Sequence, residues 1–256
     1  NMAFDGAEGE LFGTENRGLT AVFSMLNMAR LYVGLEGVAL GEAAYQRAYG
    51  FAKERRQGRS LDPRKQDRSE PADSILVHPD IRQKLMKIRA STLALRGLAI
   101  WLAIEHELGK TDSQDAAVLV SLLTPVLKSL GSSLGFANCS DAMQVMGGMG
   151  YTRDGVEQYL RDVRVAMIYE GTNHVLALEL VGQKLAADHS RVMAVFFSRL
   201  DAEIGLTPNL IGDELAEMKK LLSEAVSLVF DVRPFVPENM AAVASRFLNV
   251  LGMTAL

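Results

Sequence analysis

Apolar residues recur at three- and four-residue intervals along most of the chain, the spacing that places side chains on one face of an α-helix. The longest such pattern covers residues 19–55, which contain few β-branched residues and no proline, so one long helix is predicted there. Further helices are predicted over residues 79–108, 113–146, 156–165 and 173–187, followed by two or three more amphipathic helices. No segment shows convincing strand alternation, so the expected fold is all-α: an antiparallel, up-and-down four-helix bundle with additional C-terminal helices.

Prolines, glycines and charged residues mark where these helices should end. Residues 57–78 are charged and contain proline, which is typical of an exposed connection. The second helix should begin with Pro79 at its first position, and Asp80 in its first turn suits the helix dipole. Pro125 lies inside the third predicted helix and should kink it or split it in two. Residues 147–155, "GGMGYTRDG", are expected to form an irregular connection.

Small residues form a stripe along the first helix. Gly34, Gly37, Gly41, Ala44 and Ala48 follow one another at intervals of three or four residues, so they share one face. Glycine costs about 1 kcal/mol relative to alanine inside a helix, so three glycines there need a structural reason. Close approach of another helix or of a ligand is the natural one.

Composition and charge narrow the class of protein. Of the 256 residues, 48% are hydrophobic and 23% charged, as in an ordinary soluble globular protein. The net charge of −4 argues against a nucleic-acid partner. Cys139 stands alone, which fits a reducing cytosol and a buried, inert thiol. No signal peptide and no membrane span are predicted, because the first 18 residues are polar and acidic and apolar runs are interrupted.

Common catalytic and metal-binding motifs are not found in the sequence. The glycines at 147–155 do not match a P-loop or a dinucleotide-binding turn, and on spacing alone they cap helices. The four histidines show no metal-ligand spacing, so no metal site is predicted: His78, His106, His174 and His189. No Ser-His-Asp signature is present either.

Several separated segments nevertheless occur in an order characteristic of one family. The segment "AMQVMGGMGYTRDGVEQYLRDVRVAMIYEGTN" contains Q-x-x-G-G-x-G-Y, then R-D, then I-Y-E-G-T-N. Upstream, "NMARLYVGLEGVALGEAAYQRAYGFAKERRQGR" ends in E-R-x-Q. Together these segments resemble the acyl-CoA dehydrogenase family over residues 10–187. The charged loop after the first helix and the helices beyond residue 187 resemble its larger bacterial branch, which has an extended C-terminus.

The resemblance implies a domain organisation. Residues 1–18 correspond to the linker from a middle β-domain that is missing here, residues 19–187 to the family's C-terminal helical bundle, and residues 188–256 to a truncated helical extension. Members of the family also have an N-terminal helical domain, and the two other domains supply much of the flavin and acyl-CoA site. The chain is therefore expected to fold but neither to hold FAD tightly nor to be active by itself.

The resemblance identifies Glu170 as the catalytic base, which takes the proton next to the thioester carbonyl while a hydride leaves the β-carbon for FAD. A carboxylate suits this step when it is partly desolvated, and Tyr169 and the apolar residues before it are expected to exclude water. Gly171 leaves space beside the carboxylate, and Thr172 or Asn173 can cap the next helix. Without the family motifs, Glu170 would be interpreted as a glutamate that complements a helix dipole.

Further site residues follow from the same motifs. Arg30 matches the family arginine on the substrate side of the long helix, and Asn27 lies where many relatives have an acidic residue that contacts CoA. An arginine in this apolar helix is expected to have a buried partner; the alternative is a surface arginine with a buried stem. The residues that match FAD contacts are Arg55, Gln57, Gln144, Gly147, Gly148 and Thr172. Substrate contacts are assigned to Asn27, Arg30 and Gly171.

The resemblance also implies partners and leaves alternatives open. Acyl-CoA is the expected substrate, electron-transferring flavoprotein the electron acceptor, and a homodimer or homotetramer the assembly, in a bacterial cytoplasm. The usual R-x-Q-F-G is "RRQGR" here, so a phenylalanine that packs near the flavin is lacking. An acyl-CoA oxidase, a DNA-associated relative of the same fold and a plain helical interaction module are the alternatives. The acyl group cannot be read from the sequence.

Overall fold

The fold consists of helices and their connections. The computed structural model describes residues 2–111, 113–152, 155–207, 209–231 and 237–256. The helices are α1 (Gly18–Glu54), α2 (Pro79–Gly109), α3 (Gln114–Met146), α4 (Gly148–Tyr151), α5 (Glu157–Ala166), α6 (Asn173–Glu179), α7 (Ala186–Leu206), α8 (Asn209–Val226) and α9 (Pro237–Ala255). Short 3₁₀ turns lie at Pro63–Lys65 and Ile75–Val77, and π-helical turns at Leu180–Leu185 and Ser227–Asp231. The described ranges contain no strand, which confirms the predicted all-α class.

The three long helices run up, down and up. The start of α1, the end of α2 and the start of α3 share one end of the bundle, where they line a common cavity. The end of α1, the start of α2 and the end of α3 meet at the other end, where they line a second cleft. The connection between α1 and α2 is the charged segment predicted from the sequence, and α2 begins at Pro79 as expected, with Asp80 in its first turn.

Glycines allow α1 and α3 to pack with their backbones in contact. A Cβ placed on Gly34 would lie 2.7 Å from Leu127 Cγ, and one placed on Gly37 would overlap the carbonyl of Gly131. From the opposite side, a Cβ on Gly135 would lie 2.6 Å from the carbonyl oxygen of Gly37. The stripe in α1 therefore faces a second set of glycines in α3, and the predicted close approach of another helix is confirmed.

α3 runs as one helix from Gln114 to Met146, so Pro125 does not split it in two. Proline has no N–H, so the carbonyl of Ser121, four residues earlier, lacks its usual helical donor. Lys184 Nζ donates to this carbonyl at 2.6 Å. The lysine comes from the π-helical turn Leu180–Leu185, so a residue about sixty positions away satisfies the acceptor that the proline leaves open.

Two other predicted segments differ in detail from the structure. The helix predicted over residues 173–187 is α-helical only as far as Glu179; it continues as a π-helical turn and joins α7, which has a kink at Asp188 (φ −163°, ψ 71°). The connection at 147–155 contains the one-turn helix α4. Gly147 caps α3 with a φ of 59°, as expected of a capping glycine. Residues 112, 153 and 154 of the predicted connections lie outside the described residues.

The C-terminal helices extend the core of the bundle. α9 packs on both α3 and α6, and a Cβ on Gly252 of α9 would lie 2.9 Å from Val126 of α3. His174 Nδ1 lies 2.9 Å from Ser245 Oγ, which links α6 to α9. By length and composition α3 is apolar enough to cross a bilayer, but 67% of its most apolar window is buried inside the fold. That burial fits the central helix of a bundle.

Candidate functional site

Glu170 lies in a tight turn between α5 and α6. Glu170 and Gly171 both adopt left-handed backbone conformations, with φ values of 57° and 87°. The N–H of Asn173 donates to the carbonyl of Met167 at 3.3 Å. Thr172 Oγ1 accepts from the N–H of Val175 at 3.3 Å and so caps α6, as predicted. A non-glycine residue in the left-handed region is uncommon, so this backbone must be held by its surroundings.

Two buried cations hold the carbonyls of this turn. Arg30 Nε of α1 donates to the carbonyl of Glu170 at 3.3 Å, and Lys128 Nζ of α3 donates to that of Gly171 at 2.7 Å. The Arg30 side chain is 4% exposed and pairs with Glu179 at 2.9 Å. The expected buried partner of Arg30 is therefore Glu179, which the sequence had not identified. The donor contacts of Arg30 lie on the turn and on Glu179.

The Glu170 carboxylate is half-buried. Its Oε2 atom is inaccessible to solvent and has no hydrogen-bond partner among the described residues. An ionisable oxygen in such a position can accept a proton without first breaking a hydrogen bond. A buried carboxylate oxygen without a hydrogen-bond partner is expected of a base that acts on a bound molecule rather than on another side chain.

Tyr169 joins the Glu170 turn to α1. The residue is 40% exposed, and its hydroxyl donates to Glu36 Oε2 of α1 at 2.6 Å. Partial burial and the Glu36 carboxylate raise the pKa of Tyr169 to about 12. The tyrosine therefore stays protonated near neutral pH and links the turn to α1.

The structure brings together five of the six residues assigned to FAD. Arg55, Gln57, Gln144, Gly147 and Gly148 line one cleft of about 860 Å³ at the end of the bundle, among apolar side chains. Arg55 Nη2 donates to Gln57 Oε1 at 3.2 Å. The cleft thus combines a cation, which suits a pyrophosphate, with amides and an apolar wall, which suit an adenine ring. These residues fit a dinucleotide such as FAD.

A compact loop holds one edge of this cleft. The Asp73 carboxylate accepts from the backbone N–H groups of Ser60 and Asp67, both at 2.7 Å, and from Arg59 at 3.1 Å. The bond from Ser60 is the main reason that the pKa of Asp73 lies below its usual value. The N–H of Gln57 donates to the carbonyl of Asp73, so the loop fixes the backbone of a cleft residue.

His78 was missed as a residue of this cleft. It lines the cleft beside Gly58, and its Nε2 lies 2.8 Å from the carbonyl oxygen of Gln57. The sequence did contain a signal for this location. His78 directly precedes Pro79 at the start of α2, and residues at the N-terminus of that helix face the end of α1, where the cleft lies.

The remaining assigned residues lie apart from this cleft. Thr172 is at the Glu170 turn, where its hydroxyl is the cap of α6. Asn27 is exposed at the start of α1 and lines a cavity of about 450 Å³ with Glu105 and His106 at the opposite end of the bundle. The assigned residues therefore fall into three places: the cleft, the turn with Arg30, and the Asn27 cavity.

Comparison with known proteins identifies the family. Residues 16–186 match the model of the acyl-CoA dehydrogenase C-terminal domain. The chain is 33% identical to 3-methylmercaptopropionyl-CoA dehydrogenase of Ruegeria pomeroyi, over 99% of this chain and 44% of that protein. It is 31% identical to the broad-specificity linear acyl-CoA dehydrogenase FadE5 of Mycobacterium tuberculosis, over 96% of this chain and 42% of that protein. It therefore spans less than half the length of these relatives.

A solved structure shows the same fold over nearly the whole chain. Caenorhabditis elegans ACDH-11, crystallised in complex with C11-CoA, superposes with a TM-score of 0.74 and 20% identity, over 95% of this chain and 41% of that one. This coverage includes most of the helices after residue 187, so the extension is part of a known fold. On the family match and the helical fold together, the chain belongs to the acyl-CoA dehydrogenase family, over that family's C-terminal domain.

Proposed function

We propose that this chain is the C-terminal part of a flavin-dependent acyl-CoA dehydrogenase that converts an acyl-CoA thioester to the trans-2-enoyl-CoA, with Glu170 as the base. The observation that carries the proposal is the Glu170 turn. It presents a carboxylate with one buried, unpartnered oxygen among the described residues, on a backbone held by buried cations. A glutamate that only complements a helix dipole would need neither.

In the proposed reaction, Glu170 takes the proton from the α-carbon of the acyl group. The electron pair of that C–H bond forms the α,β-double bond as a hydride departs from the β-carbon. Bound FAD supplies the hydride acceptor. The Glu170 carboxylate becomes a carboxylic acid in this step, so the enzyme must return the proton to solvent before the next turnover. The half-buried position of Glu170 allows both states.

FAD is proposed to lie in the cleft at the end of the bundle. Arg55 and Gln57 would contact its pyrophosphate, and Gln144, Gly147 and Gly148 would lie near its adenosine part. Thr172 would contact the cofactor near Glu170. Because the chain spans less than half of its relatives, we propose that it neither holds FAD tightly nor turns over alone; electron-transferring flavoprotein is the proposed acceptor of the complete enzyme, which would be a homodimer or homotetramer.

Replacement of the base tests the proposal in the complete enzyme. Glu170→Gln removes the proton acceptor at nearly constant shape and should lower the rate of acyl-CoA-dependent flavin bleaching by about 10²- to 10⁴-fold while FAD stays bound. Glu214→Gln, which changes an exposed carboxylate in α8 in the same way, should leave the rate unchanged. Undiminished bleaching in Glu170→Gln would refute the assignment.

Flavin binding is tested separately. The present chain, mixed with FAD and passed through a desalting column, should emerge without the flavin absorbance band. Recovery of one flavin per chain would show that the cleft is sufficient by itself. In the complete enzyme, Arg55→Ala should weaken FAD retention, whereas Arg64→Ala, in the exposed loop outside the cleft, should not.

A further inference from the structure

Lys128 is among the largest fully buried side chains in the described parts of the chain. It belongs to α3 and lies among apolar neighbours in the sequence, "TPVLKSLG". Its ammonium donates to the carbonyl of Gly171 at 2.7 Å and to Asn173 Oδ1 at 3.1 Å. Nothing in the proposed reaction requires a lysine at this point, so its burial needs an explanation of its own.

Burial of this amine is unfavourable. Desolvation, followed by the repulsion of Arg30, lowers the pKa of Lys128 to about 8, and the Glu170 carboxylate opposes this shift. The amine remains mainly protonated at neutral pH. Proteins in which a buried charged residue is replaced by a hydrophobic residue of similar volume are often equally stable or more stable. The presence of this lysine is therefore better explained by the backbone geometry that it imposes than by a gain in the stability of the fold.

The contacts around Asn173 show which part of the structure depends on Lys128. The Asn173 side chain already donates to the carbonyl of Ser129 at 3.3 Å and to the hydroxyls of Ser132 and Ser133 at 3.1 and 2.9 Å. These bonds attach the start of α6 to α3 without the lysine. The Gly171 carbonyl is different, because Lys128 is the side chain that satisfies it.

We propose that Lys128 is a positioning residue for Glu170: together with Arg30, it clamps the carbonyls of the two consecutive left-handed residues and thereby fixes the direction of the base. This inference rests on the proposed function of Glu170. The left-handed conformation of Glu170 is costly and needs support from its surroundings, whereas glycine adopts a positive φ freely, so at Gly171 the bond from Lys128 selects one orientation of a permissive residue. Arg30 supplies the support at the carbonyl of Glu170, and Lys128 holds the carbonyl one residue later.

The clamp can be tested on the present chain by hydrogen exchange. Lys128→Met keeps an unbranched side chain but removes the donor. The amides of Asn173 and Val175, which close the turn, should exchange at least about tenfold faster, since a hydrogen bond to a charged group is worth more than 1.4 kcal/mol. Lys128→Gln, which retains one donor without the charge, should give a smaller increase.

Lys87→Met is the control. Lys87 is another lysine that bonds across the bundle: it donates from α2 to Asp141 of α3 at 2.9 Å, 13 residues along α3 from Lys128. Its replacement should leave exchange at Asn173 and Val175 unchanged. Equal acceleration in both methionine variants, no acceleration in Lys128→Met, or failure of both Lys128 variants to fold would overturn the proposal, because the lysine would then act on the whole bundle or on nothing.

The catalytic consequence is measured in the complete enzyme. If the clamp positions the base, Lys128→Met should lower kcat and leave the KM for acyl-CoA within about twofold, because it removes an arrangement needed in the transition state rather than a substrate contact. An unchanged kcat would overturn the positioning role. If instead Glu170→Gln keeps full activity, the proposed function fails, while the exchange experiment still reports whether Lys128 holds the turn.

Discussion

Replacement of Gly135 by alanine tests the backbone packing of α1 against α3. The added Cβ would lie 2.6 Å from the carbonyl oxygen of Gly37 and 2.8 Å from its Cα, and these backbone atoms cannot rotate away. Because carbon atoms in contact are about 3.5–4.0 Å apart, the two helices must separate by roughly 0.7–1.2 Å, a gap that removes at least a quarter to a half of the local dispersion energy.

The expected change in the free energy of unfolding of Gly135→Ala is the balance of two opposing effects. Overpacking in a core costs about 1–3 kcal/mol, and the rigid backbone on both sides places this site at the upper end. Alanine recovers about 1 kcal/mol of helix propensity. The free energy of unfolding of Gly135→Ala should therefore fall by about 1–2 kcal/mol, which for a chain of this size lowers Tm by roughly 2–8 °C.

Gly97→Ala is the control within the same bundle. Gly97 is exposed inside α2, and a Cβ there would meet nothing within 4 Å. The variant gains helix propensity without any steric overlap, so its free energy of unfolding should rise by up to about 1 kcal/mol. Thermal unfolding followed by circular dichroism compares the two variants. A Tm of Gly135→Ala equal to or above that of the wild type would refute the backbone contact between α1 and α3.

Three further measurements test the buried charges and the thiol. Glu179→Gln leaves the Arg30 guanidinium without its ion-pair partner, and chemical denaturation should show a loss of about 3–5 kcal/mol; a loss below about 1 kcal/mol would mean that the pair is open to solvent. Burial raises the pKa of Cys139 from 9.0 to about 12, so a thiol reagent should label it about a thousandfold more slowly in the folded chain than in denaturant, and equal rates would contradict its burial. The pKa of Lys128 is about 8 in the folded chain and 10.5 in the unfolded chain, so unfolding between these pH values takes up a proton. The free energy of unfolding of the wild type should therefore rise between pH 8 and 10.5 by about 1–3 kcal/mol relative to that of Lys128→Met. Parallel pH curves for the two proteins would exclude this titration.

The sequence was sufficient to predict the long helices because their ends carry local signals. Pro79 fixes the start of α2, and Gly147 ends α3 with a positive φ. The glycine stripe predicted a close helix contact for the same reason: the cost of glycine in a helix is local, and only a neighbour can compensate it. The motifs also indicated which residues would line one cleft, and five of them do so.

What the sequence could not provide depends on partners that are distant along the chain. The donor to the carbonyl that Pro125 leaves open in α3 is Lys184, and the partner of Arg30 is Glu179, about 150 residues later. Lys128 gave only a weak signal, the one basic residue of the apolar helix α3, and its acceptor lies 43 residues away. The bond from the Tyr169 hydroxyl to Glu36 of α1 likewise joins residues 133 positions apart, so no local signal could predict it.

The contact between Lys184 and the Ser121 carbonyl bears on where this bundle can be shortened. A chain cut after Glu179 would retain α1 to α6 and the Glu170 turn. It would leave the carbonyl of Ser121, which lies on the exposed side of α3 beside Pro125, to water instead of Lys184. Shortened chains should therefore keep more of their helicity when they end after Lys184 than when they end after Glu179, even though no residue beyond Glu179 is assigned to the proposed chemistry.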